Sequence, residues 1–375
     1  MSASSTDGDE GWTRRMVLAA GGAALATSCV HQPAGGQGLV IDGLSFLPSD
    51  PADLGRSGLD GFILDVSKVE ETHDEQGLVR YLRTFASCDR GIDEAHQKIE
   101  TDFPDAYVTT KASDIGKRDG TGIIFQFQSC EPIEDNLDRI SYFYDKGLRV
   151  LQLTHHHDNA LAGGALQENQ SGLTKLGRDG IAEMNRLGII PDVSHSSQPT
   201  AIEVASASTR PIILSHGACR AIVDNPRCAT DAMIKAVSDT GGVMGVFMMS
   251  FWLTTEKVPT IDHYIDQLMH VANVGGIDAT AIANDYSVSG LEVLTEIDNN
   301  NAEGVKGYHS WWNSISERGV PGYDTLPEHV VIPELNNVNR MFLIRTALEK
   351  RGVKSSMIDK IMGENWRRVL TSELG

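Results

Sequence analysis

Apolar runs and amphipathic segments alternate along the chain from residue 38 onward. Eight runs have the length and composition of buried strands: Leu39–Ile41, Gly61–Val66, Ile123–Phe127, Val150–Leu153, Ile189–Val193, Pro211–Leu214, Gly242–Phe247 and Thr280–Ala283. Helical patterns lie between them: Gly77–Thr101, Asp135–Lys146, Arg178–Leu187 and Asp262–Val274. Continuous apolar strands that alternate with helices predict a parallel sheet. Eight such units favour an α/β fold of the TIM-like (β/α)8 barrel type; a doubly wound sheet is the alternative, although no G-x-G-x-x-G motif follows the first strand.

The N-terminus has the pattern of an export signal. A twin-arginine pair lies within Thr13–Leu18, and the small, apolar run Leu18–Ala26 follows it. That run is shorter than the roughly 20 apolar residues of a membrane-spanning helix, and it is typical of a signal peptide. Cys29 follows small residues, as in a lipoprotein cleavage site, although ordinary signal cleavage nearby would make Cys29 incidental. We therefore expect a signal and tether over residues 1–35, one barrel domain over residues 36–375, a periplasmic location, and Cys29 as a candidate lipid anchor.

Composition narrows the classes of partner. The 375 residues include 32 basic and 51 acidic side chains, which gives a formal net charge of −19. So acidic a chain is a poor partner for the phosphates of nucleic acids, and we expect no nucleic-acid binding. With 41% hydrophobic residues the chain has enough apolar material for a core, which excludes disorder as its main state.

Cysteine spacing argues against a cysteine-based zinc site. Beyond the leader the cysteines are Cys88, Cys130, Cys219 and Cys228, and none forms a C-x-x-C pair. Cys219 and Cys228 could close a short disulfide loop in an oxidising periplasm. Burial of both as free thiols is an equal alternative.

Polar residues of metal-binding type follow the ends of several predicted strands: His155, His195, His216 and Asp285. In a barrel the carboxyl ends of the strands surround one mouth, so these side chains are expected to converge there. Imidazoles and a carboxylate are what a zinc site needs. We expect His156 and His157 to be solvated or to lie in a loop, because only one member of such a run usually points inward.

Arg227 follows the His216 strand after a short turn. An arginine beside a metal site is suited to holding a substrate carboxylate through two parallel hydrogen bonds. A surface ion pair is an equally good interpretation of this residue on its own.

Several segments in a fixed order carry a family resemblance: L-T-H (153–155), D-V-S-H-S (192–196), L-S-H-G-A-C-R-A (214–221), N-P-R (225–227), N-D-Y-S (284–287) and G-E-N-W-R-R-V-L (363–370). Together they resemble the membrane (renal) dipeptidase family of zinc metallopeptidases, a family of metal-dependent barrel hydrolases. In that family two zinc ions share a bridging carboxylate, and an activated water attacks the dipeptide carbonyl. Its members commonly pair as homodimers, so the resemblance also implies a homodimer.

The resemblance implies a role for each strand-end residue. His195 and His216 would bind the second metal, and His155 would contact the scissile carbonyl oxygen. Arg227 would hold the free C-terminal carboxylate of the substrate. Asp285 would ligate the first metal and move the proton. These roles agree with the chemistry of the side chains, because an adjacent carboxylate can accept a proton from a metal-activated water and return it.

The chain departs from the family at the ligands of the first metal. The family's first strand ends in D-G-H-x-D, whereas this chain has Leu44 and Phe46 at the two ligand positions. The bridging glutamate falls on Gln128, whose neutral amide cannot bridge two cations as a carboxylate does. We therefore predict one zinc ion per chain. Asp65, at the end of the second strand, is the best replacement ligand, with a helix N-cap or a turn as its alternative role.

Three functional hypotheses follow. The first is a one-metal hydrolase that cleaves dipeptides, or a related small amide with a free carboxylate. The second is an inactive or repurposed relative that binds a peptide-derived ligand in the periplasm. The replacement of three family ligands by Leu44, Phe46 and Gln128 favours this hypothesis. The third is metal-free chemistry with Asp285 and His155 as acid and base. The fold alone does not separate them, because the function depends on the site.

Overall fold

The computed structural model describes residues 38–73, 79–117, 120–167, 169–256, 258–291, 309–310, 312–317, 319, 323–324, 326 and 330–375. The chain from Gly38 to Gly375 forms one compact unit. The predicted signal and tether, with Cys29, lie outside the described residues. Among the helices that are described, none combines the length and apolar character needed to cross a membrane.

The sheet of the described chain contains a ring of parallel strands in the order β1-β2-β6-β7-β8-β9-β10-β11. The strands are β1 (Ile41–Asp42), β2 (Gly61–Asp65), β3 (Glu70–His73), β4 (Val79–Leu82), β5 (Ala106–Val108), β6 (Thr121–Phe127), β7 (Leu148–Gln152), β8 (Ile190–Asp192), β9 (Ile213–Gly217), β10 (Val243–Val246) and β11 (Thr280–Ile282). Backbone bonds between the first and last strands close the ring, with Gly43 N donating to Ile282 O. All eight predicted strands are present, and the predicted (β/α)8 barrel is confirmed.

Helices cover the outside of the barrel: α1 (Ala52–Arg56), α2 (Phe85–Asp102), α3 (Asp138–Asp145), α4 (Lys175–Leu187), α5 (Gln198–Ala207), α6 (Asp231–Asp239), α7 (Ile261–Gly275), α8 (Arg340–Lys350), α9 (Ser355–Asp359) and α10 (Asn365–Glu373). Several begin at a hydroxyl cap; Thr174, Ser197 and Thr230 each accept a bond from a backbone N–H of the first turn. Such caps satisfy amide donors that have no partner within the helix.

One predicted helix begins too early. Val79–Leu82, inside the predicted helix Gly77–Thr101, forms strand β4, which pairs antiparallel with β3. The helix itself starts at Phe85, because Thr84 and Ser87 form a reciprocal cap there. The prediction was wrong for these residues because a short run of strand-forming residues directly precedes the true helix start.

The interior of the barrel is apolar at its N-terminal end. Each barrel strand contributes one buried residue to this layer: Ile41, Ile63, Ile124, Val150, Ile190, Ile213, Val243 and Ala281. Trp366, Val369 and Leu370 of α10 pack against the layer, and Trp366 Nε1 donates to Ile282 O at 2.9 Å. The N-terminal end is therefore a packed core, and the C-terminal mouth is left for polar chemistry.

The four cysteines of the described chain are free and buried. The structure thus gives Cys219 and Cys228 the second of their two interpretations, that of buried thiols. Cys219 Sγ donates to Gln267 O and Cys228 Sγ to Trp252 O, each at 3.7 Å.

Candidate active site

Three of the predicted histidines meet at the C-terminal mouth of the barrel. His155 and His195 follow β7 and β8, and His216 lies in β9. His195 Nε2 and His216 Nε2 are 2.9 Å apart. The ring of His155 stacks on that of His195, with 4.4 Å between the ring centroids and 20° between the planes. The strand ends therefore bring these side chains together as the sequence predicts.

A fourth histidine joins this cluster, against expectation. His156 Nδ1 lies 3.2 Å from His195 Nδ1. The backbone φ is 69° at His156 and 60° at His195. Both values lie in the left-handed region that residues other than glycine rarely adopt. His156 lies in a bend of the loop after β7, in agreement with one of the two expectations, but its side chain also contacts the cluster, so more than one member of the run points inward. The positive φ interrupts the extended geometry in which successive side chains alternate, so His155 and His156 both face the cluster.

Strained backbone of this kind is concentrated at the mouth. Of the four non-glycine residues with positive φ in the described chain, three are His156, His195 and Asp285. Such conformations cost on the order of 1–3 kcal/mol each and persist where the surroundings hold them. Two of the three, His195 and Asp285, are predicted functional positions, which supports the assignment of this mouth as the active site.

A buried carboxylate beneath the cluster orients His216. Asp192 accepts bonds from the backbone amides of Ser194 and Ser215, from Gln126 Nε2 at 2.7 Å and from Ser215 Oγ at 2.5 Å. Burial raises the pKa of Asp192, and the hydrogen bonds from Ser215 and Ser194 oppose that increase. Because the Ser215 hydroxyl donates to Asp192, its oxygen accepts from His216 Nδ1 at 2.8 Å. The lone pair of His216 is then on Nε2, which faces His195.

A hydrogen bond from Arg227 determines the tautomer of His195. Its NH2 group lies 2.9 Å from His195 Nε2 and also donates to His216 O at 3.2 Å. A guanidinium can only donate, so His195 Nε2 is the acceptor. His195 Nε2 and His216 Nε2, which lie 2.9 Å apart, therefore both carry a lone pair, and that of His195 accepts from Arg227.

All four histidines are held in the neutral form. Burial lowers the pKa of each well below its ordinary value, and the guanidinium of Arg227 lowers it further; Arg83 adds to this for His155 and His156. Neutral imidazole is the form that binds metal ions.

Asp285 is a buried carboxyl group that interacts electrostatically with Arg227. Its backbone N–H donates to Leu44 O at 2.8 Å. Burial raises the pKa of Asp285 to about 7, Arg227 opposes the increase, and the charges of Asp65 and Asp42 add to it. A carboxyl group that titrates near neutral pH can both accept and return a proton.

Asp65 occupies a turn. Its Oδ1 accepts from Ser67 N at 2.8 Å and from Ser67 Oγ at 2.5 Å, and Arg83 Nε donates to Ser67 Oγ at 3.0 Å. Asp65 ends β2 and makes this turn contact through Oδ1, and its role as a replacement metal ligand stays a prediction. Arg83, a buried charge next to Asp65 and His155, was missed from the sequence. In the sequence, Arg83 is distinguished only by its position just before Thr84, the cap of α2. A basic residue at that position does not indicate a functional site.

The positions that depart from the family ligands are apolar or neutral in the structure as well. Leu44 is fully buried, and its carbonyl accepts from the amides of Asn284 and Asp285. Phe46 packs against the hydrophobic core and donates its N–H to Tyr286 O. Gln128 is buried, and its Nε2 has no partner among the described residues. Leu44, Phe46 and Gln128 therefore supply no charged ligand at these three positions.

The donor set fits one zinc-type ion at His195 and His216. Their Nε2 atoms are 2.9 Å apart, so one ion at the usual Zn–N distance of about 2.0–2.1 Å from each would be held beside the pair. His155, His156 and His195 also offer nitrogens within 4.8 Å of one another. The rings of His155 and His195 stack with 4.4 Å between their centroids, so both imidazoles line the same part of the mouth.

Comparison with known proteins places the chain in a family of metallopeptidases. A family model described as membrane dipeptidase, peptidase family M19, matches residues 54–303. The chain belongs to the membrane dipeptidase family. An uncharacterized dipeptidase of Schizosaccharomyces pombe is 32% identical over 182 residues, which cover 48% of this chain and 43% of that relative. The chain therefore spans less than half the length of this curated relative.

Solved structures of similar proteins share the fold of this family member. An amidohydrolase from Pseudomonas aeruginosa has a TM-score of 0.73 and 25% identity, over 90% of this chain and 96% of that chain. A metallopeptidase from Rhodobacter sphaeroides, bound to a phosphinate mimic of the dipeptide L-Ala-D-Ala, has a TM-score of 0.70 and 16% identity. The alignment covers 90% of this chain and 100% of the metallopeptidase chain. At 16% identity, the similarity shows a shared fold alone.

Proposed function

We propose that this membrane dipeptidase relative hydrolyses dipeptides, or a related small amide with a free carboxylate, with one zinc ion per chain. The observation that carries the proposal is the convergence of His195, His216, Arg227 and Asp285 at one mouth. This set combines neutral metal ligands, a guanidinium for an anionic substrate group and a proton carrier. Each component is what hydrolysis of a small peptide requires.

Arg227 binds the substrate carboxylate in this proposal. The side chain is only 3% exposed, and its Nε has no partner within the described part of the chain. Its guanidinium carbon lies 5.1 Å from the ring centroid of Phe247 and 5.4 Å from that of Trp252, so aromatic faces hold it in place. A buried guanidinium with an unpartnered donor favours an anionic ligand that accepts two parallel hydrogen bonds.

Proton transfer falls to Asp285 and carbonyl polarisation to His155. With a pKa of about 7, Asp285 accepts the proton of the attacking water and returns it to the leaving amine. His155, held neutral, donates an N–H to the carbonyl oxygen on which negative charge develops. His195 and His216 would hold the zinc ion, which when bound supplies Lewis-acid activation of water.

The test is to measure metal content and hydrolysis on the same sample. Purified protein is loaded with zinc and dialysed, its metal content is measured by mass spectrometry, and dipeptides with free or amidated C-termini are incubated with it. We expect one retained ion per chain and cleavage of the free dipeptides only. Two retained ions would contradict the single-ion assignment, and cleavage of both substrate forms would contradict the role of Arg227.

A second candidate is a binding protein without hydrolytic activity. The apolar burial of Leu44 and the unpartnered amide of Gln128 favour it, because they replace charged ligands beside Asp285. One retained ion and tight dipeptide binding, without turnover for any dipeptide tested, would support this candidate over the hydrolase.

A further inference from the structure

His156 has a role at the mouth that the hydrolase proposal does not use. Its Nδ1 is 3.2 Å from Nδ1 of His195, and the two rings meet edge to face with 4.5 Å between their centroids. The side chain is held there by a left-handed backbone, with a φ of 69°. A strained residue in contact with a metal ligand calls for a functional explanation.

The direction of the hydrogen bond follows from the groups around His195. Arg227 can only donate, so His195 Nε2 carries a lone pair. A neutral imidazole has one proton, which must then be on His195 Nδ1. His156 Nδ1 is therefore the acceptor of a bond from His195 Nδ1–H. This tautomer is also the one that a metal ligand needs, because an ion bound to His195 would take the Nε2 lone pair in place of the Arg227 hydrogen bond.

We propose that His156 is a positioning residue for His195: it accepts the Nδ1–H bond and so holds His195 Nε2 toward the ion. This inference rests on the proposed function only for the presence of the ion. Histidine ligands of metals almost always donate their other N–H to a carboxylate, a carbonyl or water, and losing such a partner typically weakens metal binding about 10–100-fold. Ser215 has the corresponding role for His216 through its Oγ.

His156 is not itself a ligand in this arrangement. Its Nδ1 lone pair is directed at the His195 Nδ1 proton, on the side of the His195 ring away from His216. An ion between His195 Nε2 and His216 Nε2 is thus separated from His156 Nδ1 by the His195 ring.

Two variants test the proposal without adding backbone strain. His156→Gly removes the acceptor and tolerates a positive φ. His156→Asn also tolerates it, and its Oδ1 is attached to Cγ as Nδ1 of histidine is, so it can accept the same bond. His157→Ala is the matched control, since it removes the neighbouring histidine. Each protein is titrated with Co²⁺ against a competing chelator, and its visible absorption is recorded.

We expect His156→Gly to bind one Co²⁺ about 10–100-fold more weakly than the parent. His156→Asn should recover most of that loss with an unchanged spectrum, and His157→Ala should match the parent. Unchanged affinity in His156→Gly would overturn the proposal. A changed spectrum or a lost ion in His156→Asn would also overturn it, because that result makes His156 a ligand. Both readouts are independent of turnover, so failure of the hydrolase proposal would show separately as one bound ion without cleavage.

Discussion

The two sides of the barrel mouth differ sharply in chemistry. On the side of β7, β8 and β9, every strand end carries an imidazole, and the bonds beneath fix the tautomers of His195 and His216. On the side of β1, β2 and β6, the corresponding positions are Leu44, Asp65 in a turn, and Gln128 with an unpartnered amide. The first side presents neutral imidazoles, and the second has an apolar side chain and a neutral amide where the family resemblance leads one to expect charged or imidazole ligands.

The ligand-poor side nevertheless keeps a structural task. The carbonyl of Leu44 accepts from the backbone N–H of Asp285, and the Phe46 N–H donates to Tyr286 O. These bonds involve backbone atoms only, so they tolerate any side chain at positions 44 and 46 that the core can accommodate. The comparison indicates that ligands can be lost on one side while that side still places Asp285 at the mouth.

The largest expected effect comes from a ligand on the imidazole side. His216→Ala should abolish retention of zinc and reduce hydrolysis to background, because it removes one of two facing Nε2 lone pairs. Metal content after dialysis and dipeptide turnover measure this, with thermal unfolding recorded to confirm folding. Gln128→Ala, on the opposite side, is the control that should retain its ion. Equal loss in both variants would contradict the division of the mouth into two sides.

The next effect concerns stability on the ligand-poor side. Burial raises the pKa of Asp42 from 3.8 to about 7, with Leu44 and Ser45 hydrogen bonds opposing the rise. The unfolded chain loses this proton near pH 4 and the folded chain near pH 7, so the free energy of unfolding falls as pH rises through that window. The loss is on the order of 4 kcal/mol for a single group.

Asp42→Asn should flatten this pH dependence, since asparagine can still accept from Leu44 N. Urea unfolding of the parent and the variant at pH 5 and pH 8 measures it. If both proteins lost equal stability between the two pH values, Asp42 would not be the titrating group.

A smaller effect is expected for the guanidinium on the imidazole side. Arg227→Met keeps the packing against Phe247 and Trp252 and removes the charged donors. We expect kcat/KM for dipeptides with a free C-terminus to fall about 10–100-fold, as for hydrogen bonds to charged groups. Amidated dipeptides serve as the comparison substrate. A fall of the same size for both substrates would show that Arg227 does not bind the carboxylate.

The smallest effect concerns the buried amide. Gln128→Met removes an Nε2 group that has no partner among the described residues and leaves a side chain of similar length. The free energy of unfolding should be unchanged or higher by about 1 kcal/mol, because an unsatisfied buried donor is costly. Thermal or urea unfolding measures this. A loss of 2 kcal/mol or more would show that Gln128 has a structural partner.

Local pattern was sufficient for the barrel and for much of the site. The eight buried strands are continuous apolar runs, and His155, His195, His216 and Asp285 directly follow or end them. Since parallel strands place their carboxyl ends at one mouth, linear position already predicts spatial convergence. Strand β4 was missed because a four-residue strand next to a helix start carries too little periodicity to separate it from the helix.

The roles of His156, Arg83 and Asp65 could not be predicted in this way. His156 faces the cluster because of a positive φ, which no residue type other than glycine signals. Arg83 and Asp65 meet through Ser67, and this contact depends on a hairpin that the sequence pattern did not reveal.

The sequence by itself determined the barrel, the histidines at the strand ends and the absence of family ligands at Leu44, Phe46 and Gln128, because these follow from residue type and position along the chain. Only the tertiary structure decided which nitrogen of each histidine carries its proton. That choice is made by donors from distant segments, Ser215 above Asp192 and Arg227 beside His195. Hydrogen-bond direction depends on atoms brought within about 3 Å by folding, and linear spacing does not contain it.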